Sequence, residues 1–200
     1  MERTIRLATR ADADLLAPLA RASARATYAP IAQKAVYEAF IAQSCTREAL
    51  GSAIALAAKS EDSYFAVAEA GASLVGYLDF GRDDDGALEL RRLYSAPHLT
   101  SRGIGSSLLR LLEDQLSTGV EYRAIVHARN HRALSFWKRH GFVVVGELDT
   151  REHLAAHRGL MFEQPADPEP SLILQHVVEG TSQRSSRTHS PAPMRLGAVP

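Results

Sequence analysis

The clearest chemistry in this 200-residue chain lies in residues 93–109, which read LYSAPHLTSRGIGSSLL. An extended segment ends near Ser95, a short loop follows, and Gly103 and Gly105 open an amphipathic helix. The first N–H groups of a helix have no intrahelical partner, and together with the helix dipole they attract an anion. Arg102 adds a full positive charge beside them. The sequence therefore predicts a phosphate or pyrophosphate site at this helix start.

Two well-known phosphate-binding loops do not match this segment. A Walker A loop would need Gly-Lys-Ser/Thr, and no such sequence follows Gly105. The dinucleotide-binding fingerprint would need a third glycine where Leu108 stands, and a shorter loop after the strand. A simple tight turn before a helix is the alternative that the glycines alone leave open.

A second segment, residues 130–142, reads NHRALSFWKRHGF. Together the two segments resemble the GNAT superfamily of N-acetyltransferases. The loop of that family is Arg/Gln-x-x-Gly-x-Gly/Ala, and its later helix is Asn-x-x-Ala-x-x-Phe-Tyr-x-x-x-Gly-Phe. This chain departs from the family at Thr100, which replaces the first Arg or Gln, and at Trp137, which replaces the tyrosine. The resemblance covers about residues 3–163 and is strongest over 87–145.

The resemblance implies an α/β (α+β) fold with a central mixed, mostly antiparallel sheet of roughly six to seven strands, flanked by helices and splayed between strands four and five. It also implies acetyl-CoA as co-substrate, with its pantetheine arm in that splay, and no metal. The backbone of strand four and of the glycine loop would hold this cofactor, and Asn130 would contact its pantetheine side or cap a helix. The expected cofactor-binding residues are Leu93, Tyr94, Ser95, Thr100, Ser101, Arg102, Gly103, Ile104, Gly105, Ser106, Asn130, Phe136 and Trp137.

The reaction that the resemblance implies is direct attack of a neutral amine on the thioester of acetyl-CoA. An amine with a pKa of about 10 is mostly protonated at pH 7, so a proton must be removed. Glu89 is the candidate general base, and its alternative role is a surface strand residue paired with Arg91 or Arg123. Trp137 stands where the family has a tyrosine that protonates the leaving thiolate, and an indole N–H is a poor acid. Weaker candidates for proton transfer are Tyr77, Asp79, Tyr94 and His127.

The acceptor in this interpretation is a primary amine of a small molecule or a protein, and the first helices should shape its site. Tyr28 and Tyr37 are candidate lining residues, with Asp79 as a third candidate substrate contact, although the two tyrosines would fit the core equally well. The region has no acidic cluster of the kind that a polycationic acceptor would require. The alternative function is a catalytically silent CoA-binding or regulatory module on the same fold.

The elements that must position these residues follow from the hydrophobic pattern. Alternating or short apolar runs predict strands over residues 3–8, 64–69, 74–80, 87–95, 122–128, 142–148 and 158–162. Amphipathic segments predict helices over about residues 12–27, 32–43, 46–59, 103–117 and 130–140. This order is not a regular βαβ repeat and favours a mixed sheet.

Composition narrows the classes of function. The 23 Lys and Arg balance the 23 Asp and Glu, so the net charge is zero, which argues against a nucleic-acid coat or a polybasic membrane binder. No apolar run is long enough for a transmembrane helix, so no membrane partner is expected. The single cysteine, Cys45, excludes an intrachain disulfide and favours a reducing, cytoplasmic location. His153 and His157 have i, i+4 spacing, but no third ligand is evident, so no metal site is expected.

Two segments are expected along the chain. Residues 1–164 form the N-acetyltransferase domain, and residues 165–200 form a Pro-rich C-terminal extension that holds six of the nine prolines. Residues 180–200 have the composition of a disordered segment. Residues 172–178 (LILQHVV) are apolar enough to dock on the domain or to pair as an edge strand. They are also a candidate contact for a homodimer formed through late strands.

Overall fold

The hydrophobic patterns of the sequence correspond to regular elements in the computed structural model, which describes residues 3–148 and 170–179. Within those residues the strands are β1 (Arg3–Leu7), β2 (Tyr64–Ala70), β3 (Ser73–Arg82), β4 (Leu88–Ser95), β5 (Glu121–His127), β6 (Val143–Leu148) and β7 (Ser171–Val177). The helices are α1 (Ala13–Tyr28), α2 (Lys34–Ser44), α3 (Arg47–Ala57), α4 (Ile104–Gln115) and α5 (His131–Arg139). Short 3₁₀ turns span Arg10–Asp12 and Pro97–Leu99.

Local sequence signals begin three of the helices. Asn130 lies before α5, and its side-chain Oδ1 accepts a hydrogen bond from the amide of Ala133 at 3.1 Å. Thr46 caps α3 in the same way through the amide of Ala49. Gly103 precedes α4 in a left-handed conformation, with a φ of 82°. Each of these residues satisfies or redirects N–H groups that the start of a helix leaves unpaired.

The seven described strands form one sheet in the order β1-β2-β3-β4-β5-β7-β6. Every neighbouring pair is antiparallel except β4 and β5, which are parallel. The expected mixed, mostly antiparallel sheet is therefore confirmed. β4 and β5 pair at Glu89 and Arg123 alone, so the two strands separate toward their carboxyl ends. This separation is the splay that was expected between strands four and five.

The segment 172–178 lies at a different place from the one expected. It forms β7, which pairs with β5 on one side and with β6 on the other, so it is an interior strand and not an edge strand. Leu174 and Val178 are buried in the core. A domain boundary after residue 164 would leave this interior strand outside the domain. The pattern of one strand does not show which strands will flank it, which explains the difference. The strand expected at 158–162 and the disorder expected at 180–200 lie outside the described residues.

Helices cover both faces of the sheet and bury one apolar core on each. The core under α4 includes Leu78, Phe80 and Leu108, and the core under α1, α2 and α3 includes Leu16 and Tyr77. Successive side chains of a strand point to opposite faces, so neighbouring residues of β3 serve different cores. The separation of β4 from β5 therefore opens a passage between the two helical layers.

Candidate functional site

A cavity of about 520 Å³ occupies the separation between β4 and β5. Its wall is built from both strands, from the first turn of α4 and from α5 on one face of the sheet, and from α1 and α2 on the other. We call it the β4–β5 cavity. Of the residues expected in the site, those in its wall are Tyr28, Leu93, Tyr94, Ser95, Thr100, Ser101, Gly103, Ile104, Gly105, Ser106, Asn130, Phe136 and Trp137. Those outside its wall are Tyr37, Asp79, Glu89 and Arg102.

The edge of β4 that faces the cavity carries peptide groups without a strand partner. On its other edge β4 pairs with β3 along its length, with Ser95 opposite Gly76 and Leu88 opposite Arg82. Arg91 is an extra residue in this ladder, because Asp79 pairs with Arg92 and the next residue of β3 pairs with Leu90. Such a bulge bends a strand and re-aims its neighbours. An extended ligand with amide groups could therefore pair with β4 as an added strand would.

The residues Gly103–Ser106 form a cradle at the start of α4, which we call the glycine cradle. A Cβ added to Gly103 would meet nothing within 4 Å, so the positive φ of 82° is what requires glycine there. A Cβ added to Gly105 would lie 3.4 Å from Phe136 and 4.0 Å from Leu93, two residues of the cavity wall. The bare glycine backbone leaves this space open for a ligand. Unpaired helix-start N–H groups beside an open cradle fit a pyrophosphate.

The positive charge near the cradle comes from residues other than the expected one. Arg102 is exposed, lies outside the wall, and accepts a hydrogen bond on its carbonyl oxygen from Arg3 at 2.6 Å. Arg132 and Arg139 of α5 are in the wall instead. They are seven residues apart, which places them on one face of the helix. This i, i+7 spacing of two arginines is the signal in the sequence that points to them.

His140 connects the cradle to α5 and was also missed. Its Nδ1 lies 2.8 Å from the carbonyl oxygen of Phe136, and its Nε2 lies 3.0 Å from the hydroxyl of Ser106. A carbonyl oxygen only accepts, so Nδ1 carries the proton of the neutral ring and Nε2 accepts from Ser106. His140 thereby fixes the orientation of one side chain in the cradle. No pattern in the sequence relates positions 106 and 140, so the contact depends on the fold.

Glu89 lies at the closed end of the splay and not in the wall of the cavity. Its carboxyl group is 1% exposed, and its Oε2 is 3.3 Å from Nε of Arg123, which also pairs with Asp83. Glu89 and Arg123 are the one residue pair that joins β4 to β5. The role of Glu89 as general base therefore stays a prediction, made for a residue that lies outside the wall. The alternative partner, Arg123, is present; Glu89 is buried, whereas the side chain of Arg123 is 28% exposed.

Two tyrosine hydroxyls meet in the wall beside α1 and α2. The hydroxyl oxygens of Tyr28 and Tyr94 are 3.1 Å apart, and the ring of Tyr28 packs edge-on against Phe40. Burial of the two hydroxyls raises the pKa of both tyrosines above the usual value, so both remain protonated at neutral pH. Tyr37 packs against the α1–α3 core, which was the alternative considered for it.

Asp79 lies behind the wall, between two arginines that form part of it. Its Oδ2 is 2.5 Å from Nη1 of Arg92, and its Oδ1 is 2.7 Å from Nη2 of Arg91. Asp79 is 1% exposed and is absent from the wall, whereas both arginines line the cavity. Asp79 is therefore paired with Arg91 and Arg92 behind the wall, and its contact with a substrate stays a prediction.

Three other wall residues also have a structural role in the fold. Trp137 is buried, with its ring 4.6 Å from that of Phe142, so it belongs to the core and to the wall. Asn130 caps α5 and also lines the cavity, so both of its proposed roles are compatible with its position. His127 lies in the wall at the end of β5, and its Nδ1 accepts from the amide of Arg129 at 3.1 Å. The neutral ring therefore carries its proton on Nε2 and is a donor there.

Among residues 3–148 and 170–179, no three His, Cys, Asp or Glu side chains are grouped so that they could hold a metal ion. His153 and His157 lie outside that range. None of the described helices has both the length and the apolar character needed to cross a bilayer.

Comparisons with known proteins agree with this geometry. Residues 24–158 match the family model described as an acetyltransferase (GNAT) domain. The chain is 32% identical over 135 residues to the spermidine N(1)-acetyltransferase of Thermoplasma acidophilum, and the alignment covers 66% of this chain and 83% of that protein.

Solved structures give the same result. The structure of PaiA N-acetyltransferase from Thermoplasma acidophilum, in complex with coenzyme A, superposes with a TM-score of 0.68 at 25% identity and covers 88% of this chain and 99% of its own. The ribosomal-protein-alanine N-acetyltransferase of Brucella melitensis shares the fold, with a TM-score of 0.62 at 21% identity over 87% of this chain and 99% of its own. The relatives named for an activity are N-acetyltransferases, which disfavours a silent module. The chain therefore belongs to the GNAT family and is an acetyl-CoA-dependent N-acetyltransferase.

Proposed function

We propose that the protein transfers the acetyl group of acetyl-CoA to the primary amine of a small molecule or a protein inside the β4–β5 cavity. One observation supports this proposal above the others: the glycine cradle and the unpaired edge of β4 line the same cavity. A cradle for a pyrophosphate and an edge for an amide-bearing arm are the two features that coenzyme A needs. Acetyl-CoA supplies the activated acyl group.

The binding residues in this proposal follow from their places in the wall. The amides of the glycine cradle bind the pyrophosphate, with Arg132 and Arg139 as nearby charges. The backbone of Leu93 to Ser95 pairs with the pantetheine arm. Asn130, Phe136 and Trp137 complete the side of the channel formed by α5. The acceptor then enters from the opposite face of the sheet, beside α1 and α2.

The polar side chains in the described part of the wall are hydrogen-bond donors, and none of them is a carboxylate that could act as a base. Tyr28, Tyr94 and His127 present O–H or N–H groups, and no carboxylate belongs to the part of the wall that the structure describes. The amine therefore reacts in its neutral form, and its excess proton passes to water. The tyrosine hydroxyl that does not donate to its neighbour can donate to the departing sulfur or to the carbonyl oxygen.

A binding experiment and a turnover experiment test this proposal. Acetyl-CoA at 100 times its Kd should stabilise the protein by about 2.7 kcal/mol, measured by thermal unfolding. Gly105→Trp should abolish the effect, because the indole would fill the glycine cradle, whereas Ala72→Trp in an exposed turn should keep it. Release of CoA, measured with a thiol reagent against a panel of amines, tests turnover. Absence of stabilisation at millimolar acetyl-CoA would contradict the cofactor assignment.

We also propose that two copies associate through β6. This strand is at the end of the described sheet, and its residues Val143, Val144 and Val145 are exposed. Pairing of a second copy would cover this apolar edge strand. Light scattering should give the mass of a dimer for the wild type and of a monomer for Val144→Glu. A monomeric wild type would contradict the proposal.

We propose a cytoplasmic location as well. The single cysteine, Cys45, is a free and buried thiol, which is usual for proteins of reducing compartments. Fractionation of the native cells followed by immunoblotting tests this, and recovery with the secreted fraction would contradict it.

A further inference from the structure

The end of the β4–β5 cavity beside α1 and α2, which we call the acceptor end, has a buried arginine in its wall. Arg92 lies in the wall there and is 5% exposed, between the α1–α2 side and the bulge of β4. Arg91 is next to it in the wall. A buried arginine in a cavity wall is costly unless other groups pair with it.

The pairing of the two arginines leaves a net positive charge. Both guanidinium groups use the same carboxylate, because Arg92 bonds to one oxygen of Asp79 and Arg91 bonds to the other. Two positive charges therefore face one negative charge. No aspartate or glutamate belongs to the wall as far as the described residues form it. Arg91 also donates to the carbonyl oxygen of Arg82, so the remaining positive charge is available to the cavity through Arg92, where it favours an anionic group.

The donors of Arg92 are available in the direction of the cavity. A guanidinium has five N–H donors, and Nη1 is the nitrogen of Arg92 that Asp79 occupies. In the described part of the chain, the one fully buried side-chain polar atom without a partner is the hydroxyl of Ser44. The other nitrogens of Arg92 are therefore not sealed in the core. They lie in a wall that also holds the hydroxyls of Tyr28 and Tyr94.

We propose that the acceptor is a small amine that carries a carboxylate, of the amino-acid class, and that Arg92 binds this carboxylate. The planar fork of N–H donors of a guanidinium group matches a carboxylate. The carboxylate of the bound acceptor balances the positive charge that Asp79 leaves unpaired. One of the two tyrosine hydroxyls donates to the other, and the second donates to the same end of the ligand or orients its amine. This inference rests on the proposed acetyltransfer and specifies its substrate class.

The same charges disfavour a polyamine acceptor. Spermidine is a polycation, and Arg91 and Arg92 would repel it at short range. The relative that is named for spermidine is 32% identical to this chain over the aligned residues. The residues of the acceptor end can therefore differ between the two proteins. We therefore expect the two proteins to use different amines.

The first experiment needs only the wild-type protein. CoA release is measured for several amino acids, for their matching carboxamides and for spermidine, and each rate is corrected for its fraction of neutral amine. We expect kcat/KM for the acids to exceed that for the amides by about 10- to 100-fold, the effect of one charge-assisted hydrogen-bonding pair. Equal rates for acids and amides, or a preference for spermidine, would overturn the inference while leaving the acetyltransferase function intact. No release with any amine would count against the proposed function itself.

The second experiment assigns the preference to Arg92. In Arg92→Met, Asp79 keeps its bond to Arg91, so no buried carboxylate is left unpaired. The preference for acids over amides should fall to about 1, whereas Kd for acetyl-CoA should change less than about 3-fold. Arg92→Lys should restore part of the preference, because it keeps the charge without the fork. Arg47→Met, which breaks an exposed ion pair with Asp14, is the matched control and should behave as the wild type. An unchanged preference in a folded Arg92→Met protein would overturn the assignment, and if that variant does not fold, the wild-type comparison decides.

Discussion

Hydrogen-bond donors dominate the side chains that line the β4–β5 cavity. Tyr28 and Tyr94 keep their protons at neutral pH because burial raises their pKa values. His127 has its Nδ1 occupied by a backbone amide, so its neutral ring is a donor at Nε2. Groups of this kind can stabilise developing negative charge, but they cannot take a proton from an ammonium. The amine must therefore lose its proton before it attacks.

The pH dependence of the reaction follows from this arrangement. We predict that kcat/KM rises about tenfold per pH unit up to the pKa of the acceptor amine itself. Glu89→Gln should leave the shape of this profile unchanged, because Glu89 lies outside the wall and is paired with Arg123. The same variant should lose roughly 1–3 kcal/mol of unfolding free energy in denaturant titrations. If Glu89→Gln instead moves an ionisation in the rate profile, Glu89 is the general base after all.

Alkaline stability provides a second residue-scale prediction. The pKa of Tyr94 is raised in the folded state by burial and by its neighbour Tyr28, so above about pH 10 the folded protein holds a proton that the unfolded chain releases. Its contribution is complete below that pH and is lost as pH rises further. Stability should fall by up to about 1.4 kcal/mol per pH unit for this tyrosine, and Tyr94→Phe should reduce the slope. Tyr37→Phe, outside the wall, is the control, and identical slopes in wild type and Tyr94→Phe would contradict the prediction.

At the scale of elements, α4 rests directly on β3. A Cβ added to Gly76 would lie 2.5 Å from Cγ2 of Ile104, 3.0 Å from the carbonyl oxygen of Tyr94 and 3.3 Å from Leu108. Ile104 is the first residue of α4 and part of the glycine cradle. The packing of one glycine against one helix therefore positions the cradle over the cavity.

Gly76→Ala should therefore displace the first turn of α4. We predict a loss of about 1–3 kcal/mol in unfolding free energy and a weaker Kd for acetyl-CoA, since overpacking forces backbone shifts. Gly51→Ala is the matched control: its Cβ would lie 3.6 Å from Ala13, an ordinary contact, in the middle of α3. That variant should be neutral or more stable by up to about 1 kcal/mol. Equal effects of the two substitutions would contradict the account.

The elements themselves were largely predictable, whereas their partners were not. The alternation in β2, β3 and β4 and the apolar stripe of α4 depend on local spacing, which a sequence displays. The glycine cradle was predictable because φ at Gly103 limits the residue type. The contact of Ser106 with His140 joins distant parts of the chain, and the contacts of Asp79 with Arg91 and Arg92 depend on the register and bulge between β3 and β4. Such contacts depend on how elements pack, and composition or spacing does not encode them one by one.

At the scale of the whole molecule, the sheet is completed by residues near the end of the described chain. β7 fills the space between β5 and β6, and Leu174 and Val178 belong to the core under α4. Without β7, β5 would lose an antiparallel partner beside the cavity. The carboxyl end of the domain thus supports the wall of the site.

Truncated chains test whether the folded domain ends at residue 164 or includes β7. A chain ending at residue 164 should unfold or aggregate, because it lacks an interior strand with buried side chains. A chain ending at residue 179 keeps every described element and should retain its Tm and its affinity for acetyl-CoA. Circular dichroism melting of both chains is the measurement. A stable chain of 164 residues would show that the sheet closes without β7.

The passage that the cavity makes between the two helical layers has a consequence for the kinetic mechanism of the proposed reaction. Ser23 of α1 donates a hydrogen bond to the carbonyl oxygen of Ser95 at 3.0 Å. This bond joins α1, on the proposed acceptor side, to β4, on the proposed cofactor side. Two substrates that enter from opposite faces can occupy such a passage together, without an acylated enzyme in between. Double-reciprocal plots of initial rate should therefore intersect, as for a ternary complex, and parallel lines would indicate a ping-pong route instead.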